Sequence, residues 1–215
     1  MEFTKAKKEI SSYIIQSQEE EIKRIALELH EGVGQTLYSV YTGLQFIQGG
    51  SLQPEMKNYI HEMEQLLEKT IQEIRLLSVE LHPPTLATLG LVPAMKSYLK
   101  LYTSTYGIEV ELSMVGEEVP IPENHNIAVF RVIQEALGNV AKYADTTHVS
   151  LSFTWYPNGL GIIIKDFGKG FNVKEAMEKS TGLAAMIERM DLINGKCEIS
   201  SVIDSGTSIE LFLPL

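Results

Sequence analysis

Cysteine is nearly absent from this 215-residue chain, with Cys197 the only one. No disulfide can form within one copy and no cysteine cluster can hold a metal, which fits a reducing compartment. Long apolar runs are missing too. None approaches the roughly 18–20 residues that span a bilayer, and the N-terminus lacks a signal-peptide pattern. Positive charge is scarce: 18 Lys and Arg stand against 28 Asp and Glu, a net charge of −10. Such a chain repels a phosphate backbone, which argues against direct nucleic-acid binding. A local basic pocket for a small phosphate ligand stays open. What is present is ordinary for a globular protein. Hydrophobic residues make up 44% and charged residues 21%, enough to bury a core.

Two halves differ in period. From Lys5 to about Gln48 there is no proline, and Ile22, Ala26, Leu29, Val33, Leu37, Val40, Leu44 and Ile47 trace one apolar stripe of an amphipathic helix. Gly49-Gly50-Ser51 and Pro54 stop it. A second stripe runs through Ile60, Met63, Leu67, Ile71, Ile74, Ser78 and Leu81, and ends at Pro83-Pro84. Two long helices joined by a short turn predict an antiparallel hairpin. Its apolar face calls for a second copy, so a homodimeric four-helix bundle is expected. Beyond the connector the character changes. Helices are expected over Val92–Thr105, Asn124–Tyr143 and Leu183–Ile193. Strands are expected over Ile108–Leu112, His148–Trp155, Gly161–Asp166, Lys196–Val202 and Ser208–Leu213. This mixture predicts an α+β sandwich for the second half, with domains over 1–88 and 89–215.

The chemistry concentrates where glycines meet element ends. Asp166-Phe-Gly168-Lys-Gly170-Phe171 follows a strand, and glycines there let backbone approach a ligand closely. Ser180-Thr181-Gly182-Leu183 opens a helix, whose first amides suit an anion. Asp204-Ser-Gly206-Thr207 precedes the last strand. Upstream, Glu135 and Asn139 lie four apart on one helical face with Lys142 nearby. An amide oxygen there suits Mg²⁺, a hard ion that keeps waters and phosphates in its shell.

In order, RVIQEALGNVAKYA, DFGKGF, STGLAAMIERM and DSGTSIELFLP resemble the N, G1, G2 and G3 boxes of the GHKL ATP-binding fold. RIALELHEGVGQTL resembles the phosphoacceptor segment of sensor histidine kinases of the DesK, NarX and DegS type, and LHPPTLATLGLVPAM their interdomain connector. The resemblance covers the chain from about Glu20 onward. It implies a helical hairpin that dimerises into a four-helix bundle, followed by a GHKL-type α+β domain that uses ATP and Mg²⁺.

By that resemblance Asp166 would accept a hydrogen bond from the adenine amino group, since a carboxylate is acceptor-only. Asn139 would ligate Mg²⁺, Glu135 would orient its waters, and Lys142 and Tyr143 would close the N box near the phosphates. Gly168 and Gly170 would shape the adenine pocket. Gly182 and Leu183 would set amides against the phosphates, Phe171–Thr181 would be a mobile lid, and Thr207 would back up Asp166 or a buried water. His30 would be the nucleophile, with Glu31 accepting its Nδ1 proton. Gln35, five residues on and about 140° around an α-helix, would flank His30 and position a water against phosphohistidine. His61, His82, His125 and His148 have no supporting motif.

Gly32 and Gly34 cost a helix about 1 kcal/mol each. They either soften it around His30 or allow close helix packing. Three positions depart from the family's habit: Glu31 in place of Asp, Tyr143 in place of His, and His82 in place of Arg. The expected partner is a response regulator, by resemblance one with a NarL-type helix-turn-helix output. The expected setting is a cytoplasmic fragment whose sensor lies outside this chain; most parents of such fragments are membrane-anchored. Two other readings stay open: another GHKL ATPase with Glu135 as base for water, and a dimeric adaptor with a degenerate ATP fold.

Overall fold

A computed structural model describes residues 2–49, 53–81, 84–179 and 181–215. The helix break at Gly50-Ser51, the His82-Pro83 pair of the connector, and Ser180 at the head of the second glycine motif lie outside the described residues. The chain divides into two compact units, Met1–Pro84 and Thr85–Leu215.

The first unit is helical. Helix α1 (Glu2–Leu27) passes through a π-helical turn (Glu28–Gly34) into α2 (Gln35–Gln48), and α3 (Pro54–Leu81) packs along all three. Ser78 Oγ donates to the Ala26 carbonyl at 3.0 Å, while Gly34 lies beside Ile74. As residue numbers rise on one strand of the pair they fall on the other, so the hairpin is antiparallel. The expected stripe is only partly the buried one. Ala26 is buried and Leu29, Leu37 and Leu44 are half-buried, but Val33, Val40 and Ile47 are 40%, 52% and 50% exposed. Beyond the π turn the face toward α3 is Gly34, Leu37, Tyr41, Leu44 and Gln48. A wide turn advances the phase by one residue, and an unbroken α-helical period cannot anticipate that. On α3, buried Ile60, Ile71 and Ser78 match expectation, but Glu64 sits at 8% exposure. One carboxylate oxygen of Glu64 is 3.8 Å from His61 Nδ1. No helix among the described residues is long and apolar enough to cross a membrane.

The second unit is built on five strands: β1 (Glu109–Val115), β2 (His148–Tyr156), β3 (Gly159–Asp166), β4 (Lys196–Val202) and β5 (Gly206–Pro214), in the order β1-β2-β3-β5-β4. β1 runs parallel to β2 and the other pairings are antiparallel. A parallel neighbour requires a crossover. Helix α6 (Glu123–Asn139), extended by a second π segment (Val140–Ala144), lies between them in sequence. Alternation along β2 and β3 sends Val149, Leu151, Phe153, Leu160, Ile162 and Ile164 into the core. There they join α5 (Leu91–Tyr106), α6 and α8 (Thr181–Leu192) through Met95, Tyr98, Phe130, Leu137, Met186 and Met190. Tyr102 is 1% exposed and satisfies its hydroxyl by donating to the Leu137 carbonyl at 2.9 Å, as a buried phenol must. Two short helices escaped the periodicity: α4 (Pro84–Leu89) and α7 (Val173–Lys179). Pro84 opens a helix instead of only ending one, because the first helical position needs no N–H donor.

Candidate functional site

A cleft of about 620 Å³ opens in the second unit between α6, the second π segment, the ends of β3 and β5, α7 and the start of α8. That volume suits a small organic ligand. The cleft brings together most of the residues expected there: Glu135, Asn139, Lys142, Tyr143, Asp166, Gly170, Gly182, Leu183 and Thr207.

Asp166 ends β3 and is 4% exposed. Its Oδ1 accepts the Gly168 N–H at 2.9 Å, so the carboxylate is held from the chain side within a wall that includes Ile164 and Ile209. A buried charge needs such a partner. Gly168 contributes through this amide and does not line the cleft. Its own α-carbon packs so close to the Ala144 carbonyl that a Cβ would collide with it, and the Lys169 N–H donates to that same carbonyl at 2.8 Å. Gly206, at φ +88°, presses against the carbonyl of Asp166 and leaves no room for a side chain. Thr207, expected to back up Asp166 or a buried water, has its hydroxyl beside the neighbouring strand: Thr207 Oγ1 lies 3.1 Å from Ser201 Oγ, and Ser201 Oγ also receives the Phe171 N–H at 2.9 Å. Thr207 thus ties β5 to β4 and to the loop after Gly170.

On α6, Asn139 Nδ2 faces Glu135 Oε1 at 3.4 Å. With the amide nitrogen turned to the carboxylate, Oδ1 is the atom available to a cation. Gly182 packs against the Glu135 carboxylate where a Cβ would clash, so the first turn of α8 sits on the polar flank of α6. Among the described residues no group of three or more His, Cys, Asp or Glu could hold a metal ion. The donor chemistry therefore suits an ion that brings its own waters and phosphates. Sequence reasoning missed two cations of this cleft, Lys169 and Lys179. Lys169 stands inside the first glycine motif, whose spacing assigns it no role. Lys179 ends α7, the helix that periodicity did not reveal.

The other candidate group lies in the first unit. His30, Glu31 and Gln35 are all solvent-exposed on or just after the π turn. No hydrogen bond joins His30 to Glu31 among the described residues, and consecutive helical residues point apart.

A mixed sheet backed by helices thus holds a cleft built around one buried carboxylate and flanked by lysines, a setting that suits a small phosphate-bearing ligand. Residues 124–215 match the family described as Histidine kinase-, DNA gyrase B-, and HSP90-like ATPase, and residues 21–86 match the family described as Histidine kinase. The chain is 31% identical over 219 residues to the signal transduction histidine-protein kinase/phosphatase DegS of Brevibacillus brevis, covering 100% of this chain and 56% of that protein. It is 36% identical over 203 residues to the oxygen sensor histidine kinase NreB of Staphylococcus carnosus, covering 94% and 58%. The chain belongs to the histidine kinase family. It spans little more than half the length of these curated relatives. Among solved structures, the histidine kinase domain of the Erythrobacter litoralis EL346 blue-light activated histidine kinase shares the fold at a TM-score of 0.53 and 12% identity, over 83% of this chain and 96% of that one.

Proposed function

We propose that this chain is the catalytic core of a two-component sensor kinase. It binds ATP in the cleft of the second unit, takes the γ-phosphoryl group onto His30, and passes it to an aspartate of a response regulator. The observation that carries this reading is Asp166, a buried carboxylate steadied by the Gly168 amide in the same cleft as Glu135, Asn139 and three lysines. An acceptor-only group suits an adenine amino group, and the cations suit phosphates.

Neutral His30 with its proton on Nδ1 keeps a lone pair on Nε2. Attack on the γ-phosphorus forms a P–N bond and breaks the bond to the bridging oxygen, and ADP leaves. The Nδ1 proton passes to Glu31 or to solvent. A carboxylate of the regulator then attacks the same phosphorus, the P–N bond breaks, and the imidazole regains its proton. Asn139 Oδ1 would hold Mg²⁺, with Glu135 beside it to orient coordinated water; the ion, when bound, neutralises charge on the β- and γ-phosphates. Lys142, Lys169 and Lys179 add positive charge within the cleft.

The protein acts as a homodimer on this reading. Val33, Val40 and Ile47 are exposed at seven-residue spacing on the π turn and α2, as are Tyr59 and Leu66 on α3, and a second copy would cover such seams. The regulator would dock at the helical hairpin near His30 and carry a NarL-type helix-turn-helix output. ATP as donor points to action in the cytoplasm.

The test is incubation with radiolabelled ATP and Mg²⁺, comparing wild type with His30→Gln. Acid-labile, alkali-stable label only in the wild type is expected. Equal label in both chains would remove His30 from the mechanism.

A further inference from the structure

A second cavity, of about 350 Å³, opens in the second unit where two helices begin. Residues 89–91, which join α4 to α5, form one side of it, and residues 118–121, in the loop that enters α6, form another. Asn126, in the first turns of α6, completes the lining. Gly90 stands at φ +83°, a conformation open to glycine at little cost, and so turns the chain into α5. None of these residues lines the cleft around Asp166.

Asn126 is the feature that needs a physical account. It is 6% exposed. Its backbone N–H donates to the Pro122 carbonyl at 3.0 Å, and its Nδ2 donates to the Ile121 carbonyl at 3.1 Å. Both bonds fasten the loop to the helix it opens. Oδ1 is buried and has no hydrogen-bond partner among the described residues. An amide oxygen taken from water and left bare destabilises a fold.

We propose that this cavity binds a small neutral molecule with an N–H or O–H donor and a short hydrocarbon body, and that Asn126 Oδ1 is the acceptor that seats it. The inference stands apart from the readings of His30 as phosphoacceptor and of the Asp166 cleft as a nucleotide site.

The donor requirement follows from Oδ1, which can only accept. The hydrocarbon body follows from the wall. Leu91 is buried, Ile121 packs against the core, and Leu89 and Val119 carry the apolar lining out to solvent. Neutrality follows from the fields. A helix start carries roughly half a positive charge, and neither α5 nor α6 has a side-chain cap on its first amides. Together the two starts about offset Glu118, the carboxylate of the lining; Glu123, in the first turn of α6, lies outside it. A full charge of either sign would find no counter-charge there.

Water fits this space less well than such a ligand. At about 30 Å³ each, several waters would enter, and each needs polar partners that aliphatic side chains do not give. A molecule that covers Leu91 and Ile121 with hydrocarbon and keeps one hydrogen bond to Oδ1 releases those waters and satisfies the amide together.

The test follows backbone-amide NMR signals of the full 215-residue chain. Isovaleramide is the neutral probe, and isovalerate and isopentylammonium carry a charge of each sign on a matching branched skeleton. Isovaleramide is expected to shift Leu89, Leu91, Val119 and Asn126 saturably, in the millimolar range proper to so small a ligand. It should bind at least about threefold tighter than either ion. Asn126→Ala is expected to weaken it about threefold to tenfold, the worth of one neutral hydrogen bond. Val119→Trp fills the cavity from an exposed position without removing a polar group, and it should abolish the shifts. If a thermal melt shows that Asn126→Ala does not fold, Val119→Trp decides. No saturation by about 100 mM, unchanged binding in Val119→Trp or in folded Asn126→Ala, or tighter binding of either ion overturns the proposal. Shifts confined to Asp166 and Asn139 would put the probe in the other cleft and overturn it equally.

Discussion

Asp166→Asn probes the site with a change of one atom. In the native chain Oδ1 accepts the Gly168 N–H at 2.9 Å, and the carboxylate can offer only acceptors to a base in the cleft. The amide that replaces it would keep its oxygen toward Gly168, because that backbone donor does not move. Its NH₂ must then face the ligand, setting a donor against the 6-amino group of adenine. A hydrogen bond to a charged group contributes about 1.5–3 kcal/mol, and at 4% exposure water offers little compensation. ATP affinity should fall about 10- to 150-fold at about 1.4 kcal/mol per decade. The substitution also carries a sharper signature. Inosine triphosphate presents an oxygen at the same place, so the variant should prefer it to ATP while the wild type prefers ATP. Calorimetric titration of both proteins with both nucleotides reads this directly, and a thermal melt checks that the fold survives. A variant that binds ATP as tightly as wild type, or a wild type indifferent to the two nucleotides, would refute the adenine role of Asp166.

Other outcomes follow from the same geometry. Asn139→Ala should abolish Mg²⁺-dependent labelling by ATP yet leave nucleotide binding in chelator measurable; undiminished labelling would sink its metal role. Gly206→Ala places a side chain at φ +88° against the Asp166 carbonyl, and urea unfolding should show a loss of about 1–3 kcal/mol. A midpoint equal to wild type would show that the loop relaxes freely. Burial, and then the carboxylates of Asp191 and Glu198, raise the Cys197 thiol from 9.0 to about 11. At pH 8 iodoacetamide should therefore modify folded protein about 100-fold more slowly than unfolded protein. Because the folded value is raised, the thiol's contribution to stability is intact below pH 9 and is lost as pH rises through 11. Rapid alkylation of the folded chain at pH 8 would contradict the burial of this thiol.

Period and punctuation made much of the architecture legible. Strict alternation in His148–Trp155 marks a strand with one face in a core, and β2 carries Val149, Leu151 and Phe153 there. The glycine motifs lead to the cleft because each marks a place where backbone crowds backbone or a carboxylate. Features that depend on a single residue of phase, or on a neighbour far along the chain, stayed hidden. Val33, Val40 and Ile47 sit where a continuous helix would bury them, and one extra residue in the π turn sends them outward. Glu64 is an ordinary polar position by pattern, yet it is buried in the hairpin. Lys169 and Lys179 reach the cleft from different segments, and local spacing cannot reveal that meeting. Thr207 shows the same gap: its box is readable, but its hydroxyl pairs with Ser201 on the neighbouring strand.

The strand order has a consequence for how the second unit comes into being. Among the described residues β4 finds its only strand partner in β5, and β5 is also what separates β4 from β3. Without Gly206–Pro214 the β3 edge would be left unpaired, and exposed edges recruit other chains. A chain cut before Gly206 would lose one strand in length and two ladders in effect. The same strand brings Thr207 and Ile209 to the cleft that holds Asp166, so the sheet and the wall of that cleft depend on one segment. On the proposed reading, nucleotide bound in that cleft should favour the closed sheet by mass action.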